Sequence, residues 1–102
     1  MPSPSKQKGN SYERELVNHA LEHGITAKRA YASNGQSLGY AEDVDCLIGT
    51  KRIQCKRRAR IAKWLTPSST VDAVAVREDR GETYIVMKWT EYLSLIGGKQ
   101  NV

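Results

Sequence analysis

The residues that are best suited to chemistry lie on a predicted β-hairpin. Two segments in which polar and apolar residues alternate, 43–48 and 51–57, flank Gly49 and Thr50. A Gly-X pair in that position is typical of a two-residue type II′ turn. Because side chains alternate between the faces of a strand, four polar residues should share one face. They are Asp43, Asp45, Gln54 and Lys56, with Asp45 opposite Gln54 and Asp43 opposite Lys56. The other, buried face should hold Val44, Cys46, Ile53 and Cys55.

A further carboxylate, Glu13, lies on a helix predicted over residues 11–23. Asn10 is a favourable N-cap, and Glu13 stands three residues later, at the capping-box position. Glu13 also falls at the centre of the apolar stripe of this helix, which is formed by Leu16, Val17 and Ala20. A charge in an apolar stripe is costly unless it is paired or bound to a metal. Glu13 is therefore a capping residue, a buried functional carboxylate, or both.

Carboxylates, an amide oxygen and a lysine on one patch predict a site for a hard cation such as Mg²⁺. This ion takes carboxylate and carbonyl oxygens and keeps several water molecules. A metal bound there would polarise a phosphate and lower the pKa of a water molecule for in-line attack. Lys56 would then orient that water or stabilise the developing charge. The alternative is an ordinary cross-strand salt bridge between Asp43 and Lys56, and spacing alone leaves both interpretations open.

Positive charge is concentrated in one segment of a chain with 16 lysines and arginines, 11 acidic residues and a net charge of +5. Residues 51–63 hold seven cations and no acid. Such a block is typical of a phosphate-binding surface, although a solvated basic face is the alternative. Trp64 follows the block directly, and both stacking on a nucleobase and a core or dimer role are open for it.

The 102 residues suffice for one small domain. With 39% hydrophobic and 26% charged residues, disordered and collagen-like classes are excluded. The predicted order is α-β-β-β-(α)-β-β-α, an α/β or α+β domain with a mixed sheet. Its elements are a helix over 11–23, strands over 25–33, 43–48 and 51–57, a short basic helix over 58–65, strands over 70–77 and 82–89, and a last helix over 91–96. We expect a flexible basic arm over 1–9, one domain over 10–97 and a tail over 98–102.

No apolar segment approaches the roughly 18 residues that a membrane span needs, and the first residues form no hydrophobic leader. The two cysteines are too few for a disulfide framework or a structural zinc site. These features predict a cytoplasmic protein with no membrane partner.

Three short motifs resemble the PD-(D/E)XK nuclease superfamily and, more narrowly, the archaeal-type Holliday-junction resolvases, which include small viral relatives. They are the segment GNSYERELV at 9–17, Asp45 after Val44, and Gln54-Cys55-Lys56. The resemblance covers roughly residues 8–96 in element order. It implies a restriction-endonuclease-like fold with a mixed five-stranded sheet flanked by helices. It also implies a homodimer, associated with the nucleoid or with a virus-infected cell, that resolves four-way DNA junctions by Mg²⁺-dependent phosphodiester hydrolysis. Mn²⁺ should substitute for Mg²⁺.

Carried over residue by residue, the resemblance implies roles for the matching positions. Glu13, Asp45 and Gln54 would be metal ligands, Cys55 would add its main-chain carbonyl, and Lys56 would be the catalytic lysine. The loop at 33–37 resembles a mobile loop that approaches DNA. The predicted DNA contacts are Ser33 and Ser37 in this loop and, in the basic segment, Lys51, Arg52, Arg57, Arg58, Arg60 and Lys63.

Two departures from the family pattern bear on activity. Gln54 stands where an acid is commoner, which removes one negative charge from the site. The lead-in to Asp45 over 34–42 is also longer than expected, so that Asp43 can substitute in part. A non-catalytic DNA-binding module of the same fold and a nuclease for flaps or nicks are therefore alternative functions. The carboxylates favour catalysis, because Glu13 and Asp45 would repel a DNA ligand that was merely bound.

Overall fold

The structure, a computed structural model, describes the backbone of residues 4–30 and 35–97 and, within them, the side chains of residues 11–30, 36 and 38–97. The elements in chain order are α1 (Pro4–Glu22), β1 (Ala27–Arg29), β2 (Cys46–Ile48), β3 (Lys51–Ile53), β4 (Ala73–Val76), β5 (Tyr84–Met87) and α2 (Trp89–Gly97). Short 3₁₀ turns lie at Gly35–Leu38 and Lys63–Leu65. The chain divides into two compact units, Met1–Arg57 and Arg58–Val102.

The first unit packs α1 against a three-stranded antiparallel sheet of order β1-β2-β3. The predicted apolar stripe of α1 is buried, and so are apolar residues of the sheet and its flanks. The core residues are Leu16, Val17, Ala20, Ile25, Ala30, Val44, Cys46 and Ile48. Burial of one helix face on one sheet face gives this unit its stability.

A Schellman motif ends α1 and directs the chain into β1. The Ile25 N–H donates to the Ala20 carbonyl at 3.0 Å, and the Gly24 N–H donates to the Leu21 carbonyl at 3.0 Å. Gly24 has a φ of 78°, the left-handed conformation that this motif requires and that glycine adopts without steric cost. The helix was predicted to end at residue 23, and its end at Glu22 agrees with that prediction to within one residue.

The hairpin between β2 and β3 has the predicted two-residue turn. Ile48 pairs with Lys51 across it, and Cys46 pairs with Ile53. Gly49 has a φ of 61° while Thr50 has no positive φ, the combination that defines a type II′ turn. The Gly49 N–H also donates to the Thr26 carbonyl at 2.7 Å, which ties the turn to the start of β1.

Several predicted boundaries in the first unit are wrong. Helix α1 begins at Pro4 instead of residue 11, so Asn10 lies inside the helix and is not its N-cap. The three strands are also shorter than predicted, with three residues each. Pairing of β2 with β3 stops at Cys46 and Ile53, so the expected cross-strand pairs Asp45–Gln54 and Asp43–Lys56 lie beyond the paired residues.

The second unit contains the antiparallel pair β4-β5 and helix α2. The register runs from Ala73 opposite Met87 to Val76 opposite Tyr84. The turn between the strands is closed by the Gly81 N–H, which donates to the Glu78 carbonyl at 2.9 Å. The basic helix predicted over 58–65 is wrong, because only the single 3₁₀ turn at its end forms.

All five predicted strands are present, and every described strand pairing is antiparallel. They form one sheet in each unit, three strands in the first and two in the second. A single mixed five-stranded sheet stays a prediction, as does the division into an arm, one domain and a tail. Residues 1–3 and 98–102 lie outside the described residues. Within the described part of the chain, no helix is both long and apolar enough to cross a bilayer.

Candidate active site

Glu13 is buried in the middle of α1, with only 4% of its surface exposed. It lies on the same buried face as Leu16, Val17 and Ala20. Because α1 starts at Pro4, Glu13 is far from the helix N-terminus and the capping-box role is excluded. A carboxylate at such a position loses the solvation that water would give it, and this loss costs several kcal/mol unless other groups compensate (about 2–7 kcal/mol even for a neutral polar group).

Asp45 is the second buried carboxylate, with 9% of its surface exposed. Its Oδ2 accepts a hydrogen bond of 2.6 Å from the Cys55 N–H. Its own N–H donates to the Ile53 carbonyl, and its carbonyl accepts from the Ala30 N–H, each at 2.9 Å. Asp45 is therefore tied on one side to the residue that follows β1 and on the other to β3 and its continuation. These bonds fix the orientation of the carboxylate.

A pair of cysteines lies beside both carboxylates. The Sγ atoms of Cys46 and Cys55 are 3.8 Å apart and share a part-buried hydrogen bond. That bond, burial, and the negative charges of Asp45 and Glu13 all raise the pKa of Cys55. The hydrogen bond from Cys55 lowers the pKa of Cys46, against burial and the same two carboxylates. Glu13 and Asp45 thus both act on the pKa values of these two thiols, and α1 packs against β2, the strand that Asp45 precedes.

The raised pKa of Cys55 affects which of its atoms can bind a cation. A thiol must lose its proton to become a good metal ligand, and the raised pKa of Cys55 opposes that loss. Its main-chain carbonyl has no such requirement. A role for Cys55 in metal binding would therefore use the main chain, as the resemblance implies.

The remaining predicted site residues lie in a different environment. Asp43, Gln54 and Lys56 are exposed, whereas Asp45 is buried. The expected grouping of all four on one polar face is therefore not reflected in their burial. Cys46 and Cys55 were expected on the buried face, and the contact between their sulfur atoms confirms that they pack together.

Tyr12 is a residue of this site that the sequence patterns did not single out. Partial burial raises the pKa of its hydroxyl, and Cys55 and Glu15 act in the same direction, whereas Arg57 lowers it. The pKa of Tyr12 therefore responds to the charges of Cys55 and Arg57, which follow β3. The sequence feature that could have identified Tyr12 is its position directly before Glu13 in the motif GNSYERELV.

The basic residues that were predicted to contact DNA are exposed, as phosphate binding requires. They are Lys51, Arg52, Arg57, Arg58, Arg60 and Lys63. Ser33 and the side chain of Ser37 lie outside the described residues, so their predicted contacts with DNA stay predictions.

The donor set near Glu13 and Asp45 suits a hard cation. In the described part of the chain, no three side chains of His, Cys, Asp or Glu form a metal-binding group. The two buried carboxylates are hard oxygen donors. Gln54 is exposed, and its role as a ligand stays a prediction, as does that of the Cys55 carbonyl. Mg²⁺ commonly binds proteins through one or two carboxylates and keeps water in its other positions. The residues present therefore fit Mg²⁺ better than a soft, thiolate-binding metal.

The buried carboxylates on α1 and before β2 are two of the residues on which the resemblance to the PD-(D/E)XK nucleases rests. The model of the archaeal Holliday junction resolvase (Hjc) family matches residues 4–96. The chain belongs to this family. This match confirms the resemblance found in the motifs. Members of the family are endonucleases that act on branched DNA. No curated protein and no solved structure matches the chain.

Proposed function

We propose that this protein is a metal-dependent, structure-selective endonuclease that resolves four-way DNA junctions, with Glu13 and Asp45 at its catalytic centre. The supporting observation is that these buried carboxylates, from α1 and from the residue before β2, both act on the Cys46–Cys55 pair. Two neighbouring buried carboxylates repel each other, and a bound cation removes that cost.

The proposed cofactor is Mg²⁺, for which Mn²⁺ can substitute. Glu13, Asp45, Gln54 and the Cys55 carbonyl would hold it. When bound, such a cation polarises a phosphate and makes a bound water molecule more acidic. Gln54 contributes an oxygen without a charge, so the metal should bind more weakly than it would with an acid at this position.

Other residues of the chain would orient the metal ligands, act on the scissile phosphate and bind the flanking phosphates. The Cys55 N–H keeps the Asp45 carboxylate oriented through its 2.6 Å hydrogen bond. Lys56, which is exposed two residues after Gln54, would donate to the scissile phosphate or orient the attacking water. Lys51, Arg52 and the cations of 57–63 would hold the flanking phosphates, together with Ser33 and Ser37.

We also propose that the active form is a homodimer with a restriction-endonuclease-like sheet in each subunit. Resolution of a four-way junction needs two symmetric cuts, and each chain offers one candidate site. A twofold dimer would supply both sites and join two basic surfaces. Sedimentation at micromolar concentration should give the mass of a dimer. A monomer that makes paired cuts would contradict the dimer. We expect such a protein in the cytoplasm, at the nucleoid or in a virus-infected cell.

Cleavage of a synthetic four-way junction is the direct experiment. The wild-type protein should cut in Mg²⁺ or Mn²⁺ and stop cutting in EDTA. Asp45→Asn and Lys56→Ala should each cut about 100-fold more slowly or worse, since several kcal/mol of transition-state stabilisation are lost. Both variants should still bind the junction in EDTA.

Asp43→Asn is the matched control, because it removes an exposed carboxylate two residues from Asp45. It should leave the rate within about a factor of three, a change below 1 kcal/mol. If Asp43→Asn stops cleavage and Asp45→Asn does not, the ligand assignment is wrong. A wild-type protein that binds junctions without cutting them would favour the non-catalytic module, and a preference for flaps or nicks would favour the repair nuclease.

A further inference from the structure

The basic segment after β3 carries two exposed apolar side chains. Trp64 has 68% of its surface exposed and Ile61 has 59%. Trp64 is the most exposed large hydrophobic side chain in the described part of the chain. The other tryptophan, Trp89, is half-buried and packs against Tyr92 with ring centroids 5.6 Å apart. The two tryptophans therefore have different environments, and only Trp64 is open to a partner.

The backbone around Trp64 is held in a defined conformation. Trp64 is the middle residue of the 3₁₀ turn Lys63–Leu65. The Leu65 N–H donates to the Ala62 carbonyl at 3.0 Å, and both the N–H and the hydroxyl of Thr66 donate to the Lys63 carbonyl, at 3.2 and 2.9 Å. A closed turn therefore presents the indole, which reduces the ordering cost of binding.

The charges around Trp64 indicate the kind of partner. Arg60 and Lys63 are exposed on the same short segment, and no acidic residue occurs between positions 51 and 63. An aromatic face flanked by cations is the combination that binds unpaired nucleotides, in which the base stacks on the ring and the cations hold the phosphates. Bases inside a duplex stack on one another and do not offer a free face.

We propose that Trp64 stacks on an unpaired nucleobase of the DNA substrate while Arg60 and Lys63 bind the adjoining phosphates. This inference rests on the proposed action on branched DNA and adds a residue that distinguishes unpaired nucleotides from duplex arms. Base readout is not involved, so the contact should tolerate any sequence.

The test measures binding in EDTA, where no cleavage occurs. Oligothymidylate should quench part of the wild-type tryptophan emission, and Trp64→Phe, which retains Trp89, should lose that quenching. Trp64→Ala should weaken binding of oligothymidylate about 5- to 100-fold, the range expected for one lost base stack. Binding of a blunt duplex should change less than about twofold, because phosphate contacts remain. Trp64→Phe should retain most of the affinity that Trp64→Ala loses.

Tyr84→Ala is the matched control, because Tyr84 is an aromatic residue of the second unit with 67% exposure and lies outside the basic block. It should leave binding of oligothymidylate unchanged. Equal weakening of duplex and single strand by Trp64→Ala, or no weakening of either, would overturn the proposal. A change in sedimenting mass on Trp64→Ala would also overturn it and assign the indole to a contact between chains. Junction cleavage by the wild-type protein is scored separately, so that failure of this proposal is distinguished from failure of the proposed function.

Discussion

At the scale of single residues, the bond between Asp45 and Cys55 links the site to the fold. The Asp45 Oδ2 atom accepts a hydrogen bond from the Cys55 N–H. In a longer hairpin, this N–H would donate to a main-chain carbonyl of the opposite strand instead. This hydrogen bond therefore ends the main-chain pairing of β2 with β3 and orients the Asp45 carboxylate at the same point. Local sequence patterns do not reveal this hydrogen bond. The alternation of polar and apolar residues predicts main-chain pairing, but it does not show where a side chain replaces a main-chain acceptor.

Asp45→Ala should destabilise the protein because it leaves the part-buried Cys55 N–H without its acceptor. The expected loss in the free energy of unfolding is about 1–3 kcal/mol in metal-free buffer. Asp45→Asn keeps an oxygen acceptor and removes one of two neighbouring buried charges, so its stability should equal or exceed that of the wild type. Urea unfolding of both variants checks this. Equal stability of Asp45→Ala and the wild type would show that the bond contributes nothing.

Tyr12 should make the protein less stable at high pH. Burial raises its pKa above 10.0 in the folded chain, so the unfolded chain loses this proton first as the pH rises. The folded state then binds more protons than the unfolded state, so stability falls as the pH rises through this range. Tyr12→Phe should show a smaller loss of stability between pH 7 and pH 11 in urea unfolding. An identical profile for the two proteins would contradict the assignment.

At the scale of elements, the sequence predicts where the helices and strands lie better than how far they extend. The turn at Gly49 and Thr50 and the end of α1 at Gly24 follow from local chemistry that the sequence displays. The start of α1 does not, because Gly9 and Asn10 look like a break although the helix continues through them. A glycine inside a helix costs only about 1 kcal/mol, which packing of the following turns offsets. Proline at the first helical position is compatible with this start.

Gly49→Ala should destabilise the hairpin that positions Asp45. The φ of 61° is unfavourable for any residue with a Cβ, whereas the added methyl would meet only Ile25 Cγ2, at an ordinary 3.7 Å. The expected cost is therefore the backbone term alone, about 1–2 kcal/mol. Thr50→Ala is the control, since Thr50 has no positive φ and is exposed. If the urea midpoints of the two variants shift equally, the positive φ of Gly49 is not the cause of the lost stability.

At the scale of the whole molecule, the excess positive charge sets how strongly DNA is bound. Each lysine or arginine that neutralises a phosphate releases counterions, so affinity falls steeply as salt rises. The exposed cations of 51–63 belong to both units of the chain. Their arrangement on DNA does not follow from the sequence, because it depends on contacts between distant residues.

The double variant Lys51→Gln and Arg52→Gln should reduce the salt dependence of junction binding. Loss of two phosphate contacts lowers the slope of log affinity against log salt by about two. Arg77→Gln removes an exposed cation outside the basic block and should leave the slope unchanged. Filter or anisotropy titrations at several salt concentrations give both slopes. Slopes that fall equally would mean that the block makes no special contact with phosphate.

The central claim is that a buried helix carboxylate is part of a catalytic metal centre, and Glu13→Gln compared with Glu15→Gln tests it most directly. The two residues lie two positions apart on α1, but Glu13 is buried and Glu15 is exposed. Single-turnover cleavage of a four-way junction in saturating Mg²⁺ is the measurement. We predict that Glu15→Gln cuts at the wild-type rate, whereas Glu13→Gln binds the junction normally and cuts it about 100-fold more slowly or worse. A Glu13→Gln protein that cuts at the wild-type rate would contradict the account.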